Sequence, residues 1–176
     1  GADTLGSHNV GVGFQALSSQ NFTTATDVHN VAVGYNTGVS VTTGTDNTLV
    51  GALAGDALTD ADFNVALGTT ALSSDTLGSR SVALGYGTLG SQNFSTATNV
   101  YNVAVGHAAG NNISTGVRNS ILGGLALQSD TLGSNSVAVG YAALNNQNFT
   151  TATDVYNTAV GSLAGLSVTT GKQNTL

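Results

Sequence analysis

A five-residue phrase recurs along the whole chain and limits the folds that the chain can adopt. The phrase is Asn or Ser, then three mostly apolar residues, then Gly, as in residues 30–34, 81–85 and 102–106. Nine closing glycines follow one another at spacings of only 17 or 21 residues, and residues 174–176 begin a tenth phrase. The closing glycines are Gly13, Gly34, Gly51, Gly68, Gly85, Gly106, Gly123, Gly140 and Gly161. Fixed periods of this kind indicate one structural unit stacked along an axis.

The composition disfavours helix and favours turns and short strands. The chain has no Glu and a single Lys, whereas Gly, Asn, Asp, Ser and Thr abound. The scarce residues are strong helix formers and the abundant ones favour turns. We therefore predict an all-β fold, a parallel β-solenoid (β-roll) of about nine to ten coils with a 17- or 21-residue period and two short strands per coil. Residues 1–176 are expected to form a single solenoid domain that is a piece of a longer array.

Charge and apolar content disfavour several classes of partner. The net charge is −6 with only three Lys and Arg, so the chain lacks the basic clusters that bind nucleic acid or anionic membranes. The sequence has no apolar run of about 18 residues, so membrane insertion is not predicted. We also find no charged leader ahead of an apolar segment. The absence of Cys excludes disulfides and thiolate chemistry. A surface rich in Thr, Ser and Asn suits an extracellular location, at a cell or virion surface.

The residue four before each closing glycine is small and polar in every coil. Two coils have Ser81 and Ser136 at this place, and the others have Asn. Asn tolerates left-handed backbone, and its amide can stack on the equivalent amide of the next coil. We predict a corner ladder formed by Asn9, Asn30, Asn47, Asn64, Asn102, Asn119 and Asn157, continued by Asn174.

The three residues before each closing glycine are mostly apolar, on both faces of the predicted strand. The residues one and three before Gly, such as Val33 and Val31, are expected to point into the coil. The residue between them would then point outward although it is never polar, and a strand apolar on both faces is buried on both faces. We predict that this outward row is an oligomer interface formed by Ala32, Leu49, Ala66, Ala83, Ala104, Ile121, Ala138 and Ala159.

Three coils are 21 residues long, and the extra residues lie in one near-identical segment. The segments are 20–29, 92–101 and 147–156, and we expect them to protrude while Phe22, Phe94 and Phe149 anchor them. Loops on a rigid scaffold commonly carry recognition, and polar side chains beside an aromatic ring suit glycan hydroxyls. The alternative is that the segments only adjust the stack. The candidate recognition residues are Gln20, Asn21, Thr23, Asp27, His29, Gln92, Asn93, Tyr101, Gln147, Asn148, Asp154 and Tyr156.

Two phrases carry a resemblance to known repeats. Residues 81–85 (Ser-Val-Ala-Leu-Gly) and 136–140 (Ser-Val-Ala-Val-Gly), with their Asn-Val-Ala-Val-Gly variants, resemble the head repeats of trimeric autotransporter adhesins, a left-handed parallel β-roll. Residues 157–161 (Asn-Thr-Ala-Val-Gly) are similar to repeats of phage and viral tail-fibre proteins. The resemblance covers the whole chain. It implies a homotrimer whose apolar outer stripes meet on the threefold axis.

No pattern of chemically reactive residues predicts catalysis, and we expect neither a metal nor a cofactor. The three histidines are expected to lie in different registers of the coil, which disfavours a metal site. Aspartates such as Asp75 and Asp130 are expected to be solvated turn residues rather than calcium ligands. The aromatic residues just after the closing glycines, Phe14, Tyr35, Tyr86 and Tyr141, are expected to pack at a corner.

These observations favour a non-enzymatic extracellular structural or adhesive fibre segment, as in a surface adhesin or a tail fibre. Such a segment would associate with itself as a homotrimer or filament and present loops to a host-surface glycan or protein. One alternative is an ice-binding β-solenoid, although Thr23 and Thr24 recur only in every third or fourth coil. Others are a filament assembled by end-to-end stacking and a carbohydrate-cleaving β-helix enzyme, which the absence of Glu disfavours.

Overall fold

The computed structural model describes residues 5–176, and in these residues all regular structure is β. Short strands alternate with tight turns along this part of the chain. The strands are β1 (Gly6–Ser7), β2 (Val10–Val12), β3 (Thr26–Asp27), β4 (Val31–Val33), β5 (Thr48–Val50), β6 (Val65–Leu67), β7 (Gly78–Ser79), β8 (Val82–Leu84), β9 (Thr98–Asn99), β10 (Val103–Val105), β11 (Ser120–Leu122), β12 (Gly133–Ser134), β13 (Val137–Val139), β14 (Thr153–Asp154) and β15 (Thr158–Val160).

Nine of these strands form one parallel sheet that runs the length of the molecule. Its order is β15-β13-β11-β10-β8-β6-β5-β4-β2, so each strand pairs with the equivalent strand of the neighbouring coil. Pairing is in register with the repeat, for example Ala83 with Ala66 on one side and with Ala104 on the other. The predicted parallel β-solenoid is therefore confirmed, with eight turns of chain between the first and the last of these strands.

The second strand predicted for every coil forms only beside the long coils. Among residues 5–176 it is seen as three two-stranded parallel pairs, β1 with β3, β7 with β9 and β12 with β14. Elsewhere this side of the coil consists of turns that stack directly, as when Thr42 N donates to Thr59 O at 2.9 Å and Thr59 N to Thr76 O at 3.0 Å. The turns satisfy the same backbone groups, so a strand is not required there.

Each coil turns its corner through a left-handed residue that is not glycine. This residue lies five before the closing glycine, with φ between 55° and 67°, as at Phe63 (59°), Arg80 (67°) and Tyr101 (57°). The sequence interpretation assigned this conformation to the following Asn, which has no positive φ here. Left-handed backbone costs about 1–2 kcal/mol for a residue with a Cβ, so stacking with neighbouring coils must offset it.

The corner asparagines form a ladder inside the coil. The side-chain oxygen of Asn30 accepts from the backbone N of Asn47 at 2.8 Å, and that of Asn47 accepts from the N of Asn64 at 2.9 Å. The amide nitrogen of Asn30 also donates to Gly44 O at 2.7 Å. Each amide therefore bonds to two backbone groups farther along the chain, rather than only stacking on another amide.

The row predicted to be an oligomer interface lies in the core, so its predicted outward orientation is wrong. Ala32, Ala83 and Ala104 are fully buried within a single chain, and every other residue of the row is buried with them. Both faces of the strand are apolar, so alternation alone did not show which one points inward. The interior of the coil is narrow and accepts the smaller row. The other members are Leu49, Ala66, Ile121, Ala138 and Ala159.

Large side chains of some coils fill the interior space left by glycines in neighbouring coils. The fourth residue after the closing glycine is either Leu, as at Leu89, or Gly, as at Gly110. A Cβ on Gly110 would lie 2.7 Å from Ile121 Cδ1, 3.0 Å from Ile113 Cδ1 and 3.1 Å from Leu89 Cδ2. A glycine at this place therefore makes room for larger side chains above, below and within its own coil.

The closing glycines form a continuous backbone contact along the rod. Their φ angles lie between 126° and 141°. A Cβ on Gly106 would lie 2.7 Å from both C and O of Gly123, the closing glycine of the next coil. Only a residue without a side chain satisfies both the angle and this approach.

We predict that three Gly to Ala substitutions separate these two effects. Gly161 has the unusual φ of 138° but no close neighbour, so Gly161→Ala should cost about 1–3 kcal/mol of unfolding free energy through backbone strain alone. Gly106→Ala should cost about 1–3 kcal/mol more, because the methyl group also overlaps Gly123. Urea unfolding followed by circular dichroism measures both.

Gly124→Ala is the matched control. Its Cβ would meet only His107 O at 3.8 Å and Tyr141 Cδ2 at 3.9 Å, and its φ is not in the left-handed region. We expect it to change stability by less than about 0.5 kcal/mol. Equal losses for Gly106→Ala and Gly124→Ala would contradict the backbone contact.

Candidate interaction surfaces

The outer face of the nine-stranded sheet is apolar along its whole length. The side chains one and three before the closing glycine point outward, which reverses the sequence prediction. Val12 is 56% exposed and Val160 is 62% exposed, and the outward side chains of the strands between them are half-buried or exposed. The row next to the closing glycine contains only Val and Leu, namely Val12, Val33, Val50, Leu67, Leu84, Val105, Leu122, Val139 and Val160. We call the surface formed by the two outward rows the outer sheet face.

The second row of the outer sheet face is mostly valine. It contains Val10, Val31, Val65, Val82, Val103 and Val137, interrupted by Thr48, Ser120 and Thr158. Neither row has a charged residue. A parallel sheet normally has both faces covered, and the outer sheet face is open to solvent in the single chain.

Aromatic residues border the outer sheet face. The rings of Phe14 and Tyr35 stack with centroids 5.6 Å apart, and Tyr86 stacks on His107 at 5.3 Å. These rings therefore pack on one another at the corner, although Tyr86 remains 58% exposed. Each stacked pair covers one face of each of its two rings. The opposite border contains Phe63, Arg80, Tyr101, Arg118 and Tyr156.

The three long segments are anchored in the core. Phe22, Phe94 and Phe149 are 7% exposed, and Val28, Val100 and Val155 are fully buried. In the second segment, Thr98 and Asn99 pair with Gly78 and Ser79 of the preceding coil. Ser79 pairs with Asn99 whereas Val82 pairs with Val103, so the long coil has one extra residue between these two pairs. This local insertion adds length without breaking the stack.

A buried carboxylate organises each of the last two long segments. Asp75 is fully buried, and its Oδ1 accepts from Gly78 N and Phe94 N, both at 3.0 Å. Its Oδ2 accepts from Gln92 Nε2 at 2.5 Å. Gln92 Nε2 also donates to Ser81 Oγ at 3.0 Å, and Gln92 Oε1 accepts from Asn102 Nδ2 at 2.9 Å.

The same network recurs one long coil later. Asp130 accepts from Gly133 N at 3.1 Å, from Phe149 N at 2.9 Å and from Gln147 Nε2 at 2.6 Å. The expectation that Asp75 and Asp130 are solvated turn residues is therefore wrong. In these two coils the corner residue is Ser81 or Ser136 instead of Asn, and its hydroxyl accepts a hydrogen bond from the buried glutamine.

Not all of the candidate recognition residues reach solvent. Gln20, Gln92 and Gln147 are buried, and the side chains of the last two are hydrogen-bonded to Asp75 and Asp130. They cannot contact an external ligand. The remaining candidates are exposed and fall into two groups, those on the protruding segments and those at the corner bordering the outer sheet face. The first group is Asn21, Thr23, Asp27, Asn93, Asn148 and Asp154, and the second is His29, Tyr101 and Tyr156.

Two histidines share a register, which corrects the expectation that all three differ. The rings of His8 and His29 stack at 5.3 Å, and His8 Nδ1 lies 3.2 Å from Asp27 Oδ1. Ser7 Oγ donates to the same carboxylate oxygen at 2.8 Å. This hydrogen bond and the charge of His8 lower the pKa of Asp27 from its usual value.

Reactive groups do not converge elsewhere on the described coils. Among residues 5–176, no three His, Asp, Glu or Cys side chains lie close enough together to bind a metal ion. Within the same range, no helix has the length and apolar character needed to cross a membrane. The surfaces that distinguish this rod are therefore the outer sheet face and the protruding segments.

Comparison with known proteins identifies no relative. No protein-family model matches the chain, and neither the curated proteins nor the solved structures include a significant match.

We predict that Asp75→Asn destabilises the protein by about 1–3 kcal/mol, because it places an amide donor against the buried amide donor of Gln92. The double variant Asp75→Asn/Gln92→Glu should recover most of this loss. In the double variant, the new carboxylate at position 92 can accept from the new amide at position 75, from the Asn102 amide and from the Ser81 hydroxyl.

Chemical unfolding of the single and the double variant measures this coupling, and equal stability of the two would contradict the network. Asp130→Asn is the matched equivalent in the next long coil, where Gln147 Nε2 donates to Asp130 Oδ2. It should lose about as much stability as Asp75→Asn.

A half-buried carboxylate gives the rod a specific pH dependence. Burial raises the pKa of Asp56, and its Oδ1 has no hydrogen-bond partner among residues 5–176. At the same place in another coil, Asn145 Nδ2 donates to Leu125 O at 2.8 Å. The repeat places Asp56 above the equivalent carbonyl of Asn36, where an amide donor would fit and a carboxylate does not.

We predict that Asp56→Asn raises the melting temperature at pH 7, through a gained hydrogen bond of about 1 kcal/mol. Because the folded-state pKa of Asp56 is raised, the folded chain binds more protons just above the usual Asp range, and stability falls as pH rises through that window. The advantage of Asp56→Asn should therefore disappear in acid. Asp60→Asn removes a charge from an exposed side chain, and a similar gain there would contradict the assignment.

Proposed function

We propose that the chain is a segment of a non-enzymatic extracellular fibre, of the surface-adhesin or tail-fibre kind, located at a cell or virion surface. The observation that carries this proposal is the outer sheet face, an apolar surface that runs the length of a rigid stack of coils. A large exposed apolar surface indicates an interaction site. The molecule is thus suited to lateral association with other copies of itself.

The rod supplies stiffness without a reaction site. Backbone hydrogen bonds join each coil to the next on both sides of the solenoid, and the closing glycines hold the coils at contact distance. A stacked array of this kind is an extended scaffold whose neighbours support one another. We assign no reaction and no cofactor to it.

The protruding segments are the proposed attachment sites. In the second segment Asn93, Ser95 and Thr96 are exposed, while Phe94 and Val100 fix the backbone beneath them. Exposed hydroxyl and amide groups on a fixed backbone suit hydrogen bonding to a host-surface glycan or protein. The repetition of the segment on one rod would make attachment multivalent.

The ice-binding alternative receives less support from the arrangement of side chains. Thr23, Thr24 and Thr96 are exposed and belong to the long segments, which are separated by two or three ordinary coils. The regular surface of the rod is instead the outer sheet face, where valine and leucine predominate. Thermal-hysteresis measurement on the intact chain distinguishes this alternative, which expects activity, from the fibre.

We predict that attachment depends on the exposed polar side chains of the long segments. A variant with alanine at Asn21, Thr23, Asn93, Ser95, Asn148 and Thr150 should lose most binding to host cells or a glycan array. It should keep its circular dichroism spectrum, because all six side chains are exposed. The control places alanine at Thr43, Asp60 and Thr115 of ordinary coils. Undiminished binding by the first variant would locate attachment outside these segments.

A further inference from the structure

We propose that the outer sheet face docks against the same face of a second copy, so that two rods pack sheet on sheet as a two-fold dimer. This inference rests on the proposed self-association and specifies its surface and stoichiometry. The nine strands are parallel and in register, so the outward side chains form straight rows rather than isolated patches. Two such surfaces can interdigitate along their length, as facing sheets do at a separation of about 10 Å.

The area of the outer sheet face matches what a stable dimer needs. Nine strands at about 4.8 Å give a length of roughly 38 Å, and the five residue steps from the left-handed corner residue to the closing glycine give a width of roughly 16 Å. The product is roughly 600 Å² on each copy. Specific protein interfaces bury about 1,200–2,000 Å² in total, so two complete faces together reach the lower end of this range.

The single layer of strands favours two copies over three. All outward apolar side chains of the sheet lie on one side of a single layer of strands. Around a threefold axis, each rod would have to divide this layer between two neighbours, which leaves roughly half the width for each contact. That half lies below the size typical of specific interfaces, whereas a two-fold pair uses the whole surface once.

The charge distribution also favours this face for self-association. The two apolar rows are uncharged, and their borders contain Arg80, Arg118 and Asp46. The exposed carboxylate of Asp60 accepts from Thr43 Oγ1 in the stacked turns, away from the two rows, and Asp154 accepts from Asn135 Nδ2 at their border. Two chains that each have a net charge of −6 therefore meet on rows that themselves carry no charge.

The test is the mass of the intact chain in solution. Sedimentation equilibrium should give twice the 17.4 kDa of one chain for the wild-type protein. The variant Leu67→Glu/Leu122→Glu introduces charges at two half-exposed positions of the outer sheet face and should have the mass of one chain, because a buried charge without a partner prevents docking. Its circular dichroism spectrum should be unchanged.

The matched control is Ser95→Glu/Thr96→Glu, which adds the same charge to an exposed long segment and should stay dimeric. A milder variant, Leu67→Thr/Leu84→Thr/Leu122→Thr, guards against misfolding, since Thr48 and Thr158 already occupy outward positions of this sheet. It should weaken the dimer at least about tenfold.

The outcomes separate this inference from the proposed function. A wild-type mass of three chains overturns the two-fold dimer but leaves self-association intact. A wild-type mass of one chain overturns both the dimer and self-association through this face. A dimer that persists in Leu67→Glu/Leu122→Glu shows that a different surface is the interface.

Discussion

The direct contact between the closing glycines of successive coils is the constraint on which the rest of the structure depends. Gly85 approaches Gly106, and Gly106 approaches Gly123, more closely than any side chain allows. Neighbouring coils must therefore repeat the same backbone path at this corner. Once that path is fixed, the left-handed corner residue and the Asn ladder recur in the same register, because each satisfies the backbone groups of the coil beside it.

The narrow interior of the coil determines which side chains the core can hold. Ala predominates on the inward side of the main sheet, and larger residues enter only where a neighbour supplies space. Leu72 and Leu89, which fill the fourth position after the closing glycine, occur in coils that place Asp75 and Gln92 three residues later. Gly55 and Gly110 occur in coils that place Leu58 and Ile113 there instead. Polar networks and apolar layers thus share the interior of the rod.

The sequence was sufficient for the architecture but not for the orientation of the strand. The spacing of the closing glycines predicted a solenoid, and the apolar residues of the long segments predicted their anchors, because both signals depend on the repeat itself. The inward orientation of Ala83 rather than Leu84 was missed. Both rows are apolar, so the alternation of side chains did not show which row points inward. The burial of Asp75 was also missed, although its recurrence with Gln92 and Ser81 ahead of a long coil was visible in the sequence.

The orientation of the strand has a consequence for the surface. If folding of the single chain required apolar side chains on the outer sheet face, polar residues would be absent from both of its rows. Thr48, Ser120 and Thr158 show that the outward position three before the closing glycine accepts hydroxyl groups while the strand still pairs on both sides. The neighbouring outward row nonetheless contains only Val and Leu in all nine strands. Because the core is already filled from within by Ala and by the exchange of Leu and Gly, this row contributes little to the interior of its own chain. The proposed contact with another molecule accounts for its apolar character, because a continuous apolar surface of this length is complementary to a second surface of the same kind.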